Sequence, residues 1–305
     1  MNEELLAVFV ASTIRLATPL LLAAIGELLS EKAGVLNMSV EGMMLTGAFA
    51  AAAGASLSGS PVVGLVCGLV AVIPLSLLQA FLTNTLRANQ IVTGLGINIF
   101  VLGATTLGYR ELFGARSREV IPGFDKWNPP VLSDIPVIGQ TIFEQVWLVY
   151  LVIPVAVAVW YLLARTGLGV AIKAAGAAPR TVAHSGLSVT LIRYGVIMAT
   201  GLLAALGGIF LSIGDIHTFT EGMTRGAGYL AIAAVIFGNW KLGQTIVACL
   251  VFGAATALQF QLPALGIDAP NALLIMMPYL LAFIAVSGLV GRQSAPRTLA
   301  QPYWK

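Results

Sequence analysis

Uninterrupted apolar runs of about 20 residues alternate along the chain with short polar, glycine-punctuated stretches. The runs predict nine helical spans, near 12–29, 42–59, 61–82, 89–108, 145–163, 191–212, 226–240, 244–262 and 271–290. A helix of about 20 apolar residues crosses a hydrocarbon core of ~30 Å. Within lipid every backbone N–H and C=O must be bonded inside the protein, which leaves helices or a closed barrel. Barrel strands alternate in segments of about ten residues, whereas these runs are continuous. The expected fold is an all-α, polytopic transmembrane helical bundle forming one domain over residues 1–305.

Two polar stretches interrupt this pattern. The first, SEKAGVLNMSVEGMML at 30–45, places Glu31, Lys32, Asn37, Ser39 and Glu41 with Gly34 and Gly42 between two spans. The second, GDIHTFTEGMTRGAGY at 214–229, supplies Thr220, Glu221 and Thr224. Broken helices inside a bundle leave backbone groups that can face a cavity and a polar solute. Asn37, Ser39, Glu41, Thr220 and Glu221 are therefore candidate pathway residues, together with the intramembrane Asn98 of GLGINIF. Plainer readings stand beside these: 30–41 as a cytoplasmic turn with Glu31 and Lys32 in solvent, and Asn98 as a helix–helix hydrogen bond. EGMMLTGAFAAAAG at 41–54 is also similar to EGMTRGAGYLAIAA at 221–234. The span count puts the first toward the cytoplasmic side and the second toward the external side, as two halves related by inversion require.

Charge supplies the orientation. Only 10% of the residues are charged and 58% are hydrophobic, against roughly a quarter charged in a soluble domain. Residues 164–193 hold Arg165, Lys173, Arg180 and Arg193 and no acidic residue. Lys and Arg accumulate on the cytoplasmic side, so this loop is read as cytoplasmic. Counting outward from it puts the N-terminus outside, the C-terminus and the tail 291–305 inside, and the mixed-charge loop 109–144 outside. Arg87, Lys241, Arg292, Arg297 and Lys305 then fall inside, in agreement. Arg15 is expected to snorkel outward from the first span, with residues 3–12 as an interfacial helix. TIFEQVW at 141–147 reads as a second interfacial helix, with Trp147 and Tyr150 as anchors. The opening MNEELL has no basic n-region or cleavage site and reads as a retained segment.

The chemistry that is missing excludes several classes. There is no phosphate-binding loop ending in Lys-Ser/Thr, so ATP hydrolysis is not expected of this chain. His184 and His217 fall on opposite sides of the membrane, leaving no clustered metal site. Cys67 and Cys249 lie in apolar runs and read as packing residues. No Ser–His–Asp set falls in one compartment, and ionisable residues at mid-span are scarce, which argues against an ion-driven carrier. Neither an enzyme, a cofactor, a metal nor a nucleic-acid partner is expected.

GELLSEKAGVLNMSVEGMMLTGA at 26–48 resembles the permease subunits of bacterial ABC importers for nucleosides, within the wider ribose and branched-chain amino acid permease group. The basic loop ARTGLGVAIKAAGAAPRTVAHSGLSV at 164–189 is similar to the same group's cytoplasmic loop, and the likeness extends over about 13–290. Ala177 and Ala178 stand where relatives commonly have Glu-Asn, and Lys173 where Arg is usual. The resemblance implies a coupling loop over 164–190, with a short helix near 170–185 flanked by Gly169 and Gly186, that seats in an ABC ATPase subunit. Arg165, Thr166, Gly169, Lys173, Gly176, Pro179, Arg180 and Gly186 are its coupling residues; the plainer reading is a basic loop meeting membrane lipid. It further implies a second permease subunit in a heterodimer, a substrate-binding protein docking on 109–144, and the bacterial inner (plasma) membrane. Nucleosides are the expected substrates, with simple sugars or branched-chain amino acids as alternatives. A passive channel or ion-coupled carrier is the more distant rival.

Overall fold

The computed structural model describes residues 3–114, 120–127, 143–264, 270–287 and 294–303. Helix α1 (Glu3–Lys32) runs unbroken for 30 residues, a rod of about 45 Å. The interfacial helix expected at 3–12 is thus the N-terminal part of one continuous helix, because no glycine or proline precedes Pro19 to end it. Arg15 remains exposed at this end and lies 3.5 Å from Asp215, so it has an ion-pair partner as well as solvent.

Helix α1 stops at a left-handed glycine. Gly34 has φ +83°, Val35 N–H donates to the Ser30 carbonyl and Gly34 N–H to the Glu31 carbonyl, both at 2.9 Å. This is the Schellman ending that glycine favours. Helices α2 (Val40–Ser58), α3 (Pro61–Ala80) and α4 (Gln90–Phe113) follow, with a π-helical turn over Phe81–Thr85 closing α3. After α4 a two-residue strand β1 (Lys126–Trp127) pairs antiparallel with β2 (Gln145–Val146). Gln145 and Val146, expected in an interfacial helix, are therefore in a strand pair, and the rings of Trp127 and Tyr150 (centroids 5.5 Å) and of Phe124 and Trp147 (5.3 Å) hold it against the next helix. Residues 115–119 and 128–142 of the expected external loop, like 288–293 and 304–305 of the last span and tail, lie outside the described residues.

Helix α5 (Trp147–Arg165) leads into two short helices, α6 (Gly167–Ala177) and α7 (Pro179–His184). Helix α8 (Val189–Ile209) continues through a π-helical turn, Phe210–Ile216. Then come α9 (Ala227–Phe237), α10 (Leu242–Ala264) and α11 (Asn271–Val286). Each expected span contains a helix, but not of one kind. Seven of the described helices are long and apolar enough to cross a membrane. The remaining two, α9 and α11, have 11 and 16 residues. Within 226–240 the helix ends early, because Gly238 closes it and Asn239 and Trp240 adopt positive φ.

Helices α1, α2 and α8 form the centre. Lipid offers no hydrophobic drive to helix association, so close contact between small residues takes its place. Gly208 lies so near α2 that an added Cβ would sit 1.8 Å from the Met44 carbonyl oxygen. Between α1 and α8, the Thr200 hydroxyl donates to the Gly26 carbonyl at 2.7 Å and shares a hydrogen bond with Ser30. Helices α3, α4 and α5 lie outside this centre with large apolar side chains exposed, among them Val66, Val70, Ile99, Phe100, Ile153 and Val157. The chain is a polytopic all-α membrane bundle.

Candidate functional site

The two polar stretches are where helices break, and their ends come together. Between α1 and α2 the backbone is irregular. Asn37 Oδ1 accepts from the Ser39 hydroxyl (2.6 Å) and N–H (3.2 Å), which fixes the turn into α2. The Asn37 N–H donates to Glu27 Oε1 at 2.9 Å. The first N–H groups of a helix have no partner within it. Here Asn98 of α4 supplies one, its Oδ1 accepting from Gly42 N–H at 2.8 Å, while its Nδ2 donates to the Met38 carbonyl and the Tyr229 hydroxyl.

The second break, 217–226, leads into α9, and its helix start is capped from across the bundle. Glu41 Oε1 accepts from the Thr224 hydroxyl at 2.6 Å and Gly226 N–H at 2.8 Å; Oε2 accepts from Gly228 N–H at 2.7 Å. A carboxylate at a helix N-terminus satisfies orphan donors and meets the positive end of the helix dipole. Glu221, three residues before Thr224, pairs with Arg110 of α4 at 3.0 Å. The expectation that 41 and 221 occupy opposite halves needs refining: Glu221 stays by the far end of α4, whereas the segment following it descends to Glu41 itself. The starts of α2 and α9 meet.

Each candidate residue has a defined place. Asn37 and Ser39 are fully buried in the first break, and Asn98 is buried at its edge. Glu41 and Thr220 are half-buried and Glu221 is exposed. The structure thus joins Glu41 with Thr224 and Asn98 with the first break, while Thr220 and Glu221 lie farther along the second.

Carboxylates in α1 were missed by reading its polar end as a solvated turn. Glu27 and Glu31 are both fully buried, because α1 extends past the apolar run and packs there. Glu31 accepts from the Trp240 indole N–H and Glu27 from Asn37. Arg193 was likewise counted as a loop cation, yet it is buried, its Nε donating to the Ala33 carbonyl and Nη1 to the Gln301 carbonyl, both at 3.2 Å. The four-residue spacing of Glu27 and Glu31, on one helix face, was the signal available for their shared burial.

The basic loop is two helices rather than one. Thr166 caps α6, its hydroxyl accepting from Gly169 N–H at 3.1 Å and donating to the Leu162 carbonyl at 2.6 Å. Gly169 therefore lies inside α6, not before it; an added Cβ there would meet the Leu162 carbonyl oxygen at 2.0 Å. Pro179 opens α7 and Gly186, φ +85°, follows its end. Gly176 packs against the Lys32 carbonyl oxygen, where an added Cβ would be 2.2 Å away, and near Gly34. Thr298 of the tail seals the contact, both its N–H (3.0 Å) and its hydroxyl (2.9 Å) donating to the Gly176 carbonyl. Arg165, Lys173 and Arg180 are exposed around it. The first break and the basic loop, separate in sequence, form one joint.

A membrane bundle whose two broken helices meet end to end, with a basic helical loop seated under one break, has the architecture of a transport permease. The chain belongs to the branched-chain amino acid transport system / permease component family, whose model matches residues 9–286. It is similar to the guanosine ABC transporter permease protein NupQ of Bacillus subtilis, 34% identical over 99% of this chain and 98% of that one. It is also similar to the nucleoside ABC transporter permease protein NupC of Lactococcus lactis, 30% identical over 98% of both chains. A putative glucose ABC transporter permease protein, TsgC13 of Haloferax volcanii, is 34% identical over 86% of this chain and 80% of its own. No solved structure matches the chain. The protein is an ABC transporter permease.

Proposed function

We propose that this permease carries nucleosides into a bacterial cell as one half of a permease pair in the plasma membrane, loaded by an extracytoplasmic binding protein and driven by ATPase subunits. The observation that carries the substrate reading is the similarity, over nearly the whole chain, to permeases named for guanosine and nucleosides. The Glu41 cap favours it over amino acids. The start of α9 is the natural anion site of such a break, and its Gly226 and Gly228 N–H groups are already taken by Glu41. A carboxylate-bearing substrate would find negative charge where it needs donors; an uncharged nucleoside would not. The similarity to TsgC13 supports simple sugars as a second reading.

The pathway runs along the second break. Glu41, Asn98, Thr220 and Glu221 flank it, and Asn37 and Ser39 hold the first break in shape. Charged side chains at membrane depth face water or protein rather than lipid, so Arg225 and Glu41 mark the pathway side. Lys32 lies within electrostatic reach of Lys173 and Lys241, and Arg180 and Arg193 share a cleft with the tail. That cationic end is cytoplasmic by the positive-inside rule, which supports nine crossings from an external N-terminus to an internal C-terminus. ATPase subunits seat on the outer face of the loop, at Arg165, Thr166, Lys173, Pro179, Arg180 and Gly186. The buried Gly169 and Gly176 hold the loop in shape, and ATPase closure reaches the pathway through the Gly176–Gly34 joint.

The test is reconstitution of the permease pair, ATPase and binding protein in vesicles. ATP-dependent uptake of guanosine and uridine exceeding that of glucose and leucine is expected. Uptake without ATPase would make the chain a channel or carrier, and glucose uptake alone would favour the sugar reading.

A further inference from the structure

Residues of α2, α4 and α11 meet at the start of α9. Glu41 binds the helix start, and Asn98 donates to the Tyr229 hydroxyl at 2.8 Å. From α11, the Tyr279 hydroxyl donates to the Arg225 carbonyl. Between the two tyrosines lies Gly226, φ +82°. An added Cβ there would be 3.7 Å from the Tyr279 ring and 3.8 Å from the Tyr229 ring. Both hydroxyls are engaged, yet the residues stay 37% (Tyr229) and 42% (Tyr279) exposed. Anchored tips with open rings leave little rotamer freedom to lose when a ligand arrives. The neighbouring Arg225 is exposed and charged, so this patch faces the pathway side rather than lipid.

We infer that Tyr229 and Tyr279 form a base-recognition subsite in the permease, where the ring of a passing nucleobase lies against their open faces over Gly226. The inference rests on the nucleoside reading above. Aromatic side chains stack on any base, since every base presents a π-face. Such contact is sequence-tolerant and modest, as a permease must release what it accepts. Gly226 gives the base room where a larger residue would fill the gap between the rings. Asn98 and Glu41 stand at the edge of the patch and fix it in place, Asn98 through the Tyr229 hydroxyl and Glu41 through the Gly226 N–H.

The test uses the reconstituted importer with its binding protein and ATPase. Y229A and Y279A are expected to lower guanosine uptake about 10-fold each, in the range set by loss of one base–aromatic stack, with Phe at either position restoring most of the loss. Assembly with the ATPase, read by co-purification, reports whether each variant folds. As a second readout, an azido-purine nucleoside should photolabel the peptide containing 226–229 in the unaltered protein and leave it unlabelled in Y229A. If the unaltered protein carries glucose and no nucleoside, the substrate reading falls and takes the subsite with it. If it carries nucleosides while both Ala variants match it, or if Phe fails as Ala does, the subsite alone is overturned.

Discussion

Glu41 has an unusual assignment for an acidic residue in a membrane bundle: it is spent on the backbone of another helix. Three donors converge on it, and two of them are backbone N–H groups at the start of α9. A buried donor left unpaired costs about 1–3 kcal/mol. Glu41→Ala is therefore expected to destabilise the folded protein by at least about 2 kcal/mol, read as a lowered unfolding midpoint in detergent, with Glu41→Gln recovering part through its remaining acceptor oxygen. An Ala variant as stable as the unaltered protein would mean that the cap is not holding α9. Asn37 acts in the same way inside the first break. Asn37→Leu removes both acceptor contacts from Ser39, so uptake should fall while co-purification with the ATPase stays intact. Normal uptake would take Asn37 out of the transport machinery.

Where helices meet, tolerances are tighter still. Gly176 sits on the Lys32 carbonyl with no room for a methyl group, and Thr298 closes the site from the tail. Gly176→Leu must push α6 away from the first break, and overpacking of this kind costs about 1–3 kcal/mol or more. Loss of transport together with weakened ATPase co-purification is expected, and unchanged assembly and transport would argue against this joint as the route of coupling. Much of this level was readable in advance. Glycine-punctuated polarity marked both breaks, and the charge of 164–193 marked the loop. The missing part depended on partners far away in the chain. The split of the loop into α6 and α7 follows from Pro179 starting a new helix where Gly176 turns inward to pack. The burial of Glu31 depends on Trp240, 209 residues later, and that of Arg193 on Gln301, 108 residues later. Hydropathy records how apolar a segment is, not which neighbour will satisfy its polar atoms.

The bundle has two unlike ends, and the proposed direction in the membrane rests on the difference. One end gathers Lys32, Lys173, Arg180, Lys241 and the tail. The other carries two ion pairs, Arg15 with Asp215 and Arg110 with Glu221. Lys and Arg accumulate on the cytoplasmic side, and the proposed orientation therefore turns the first end inward. Helix α2 rises from the layer of Glu41 to Ser58, an exposed residue at the far end from Lys173. In a background with Cys67 and Cys249 replaced, Ser58→Cys should react with a membrane-impermeant maleimide added to intact cells. Lys173→Cys should react only after the cells are permeabilised. The converse pattern would invert the protein, leaving the basic loop outside, beyond the reach of any ATPase, and the Gly176–Gly34 joint with nothing to transmit.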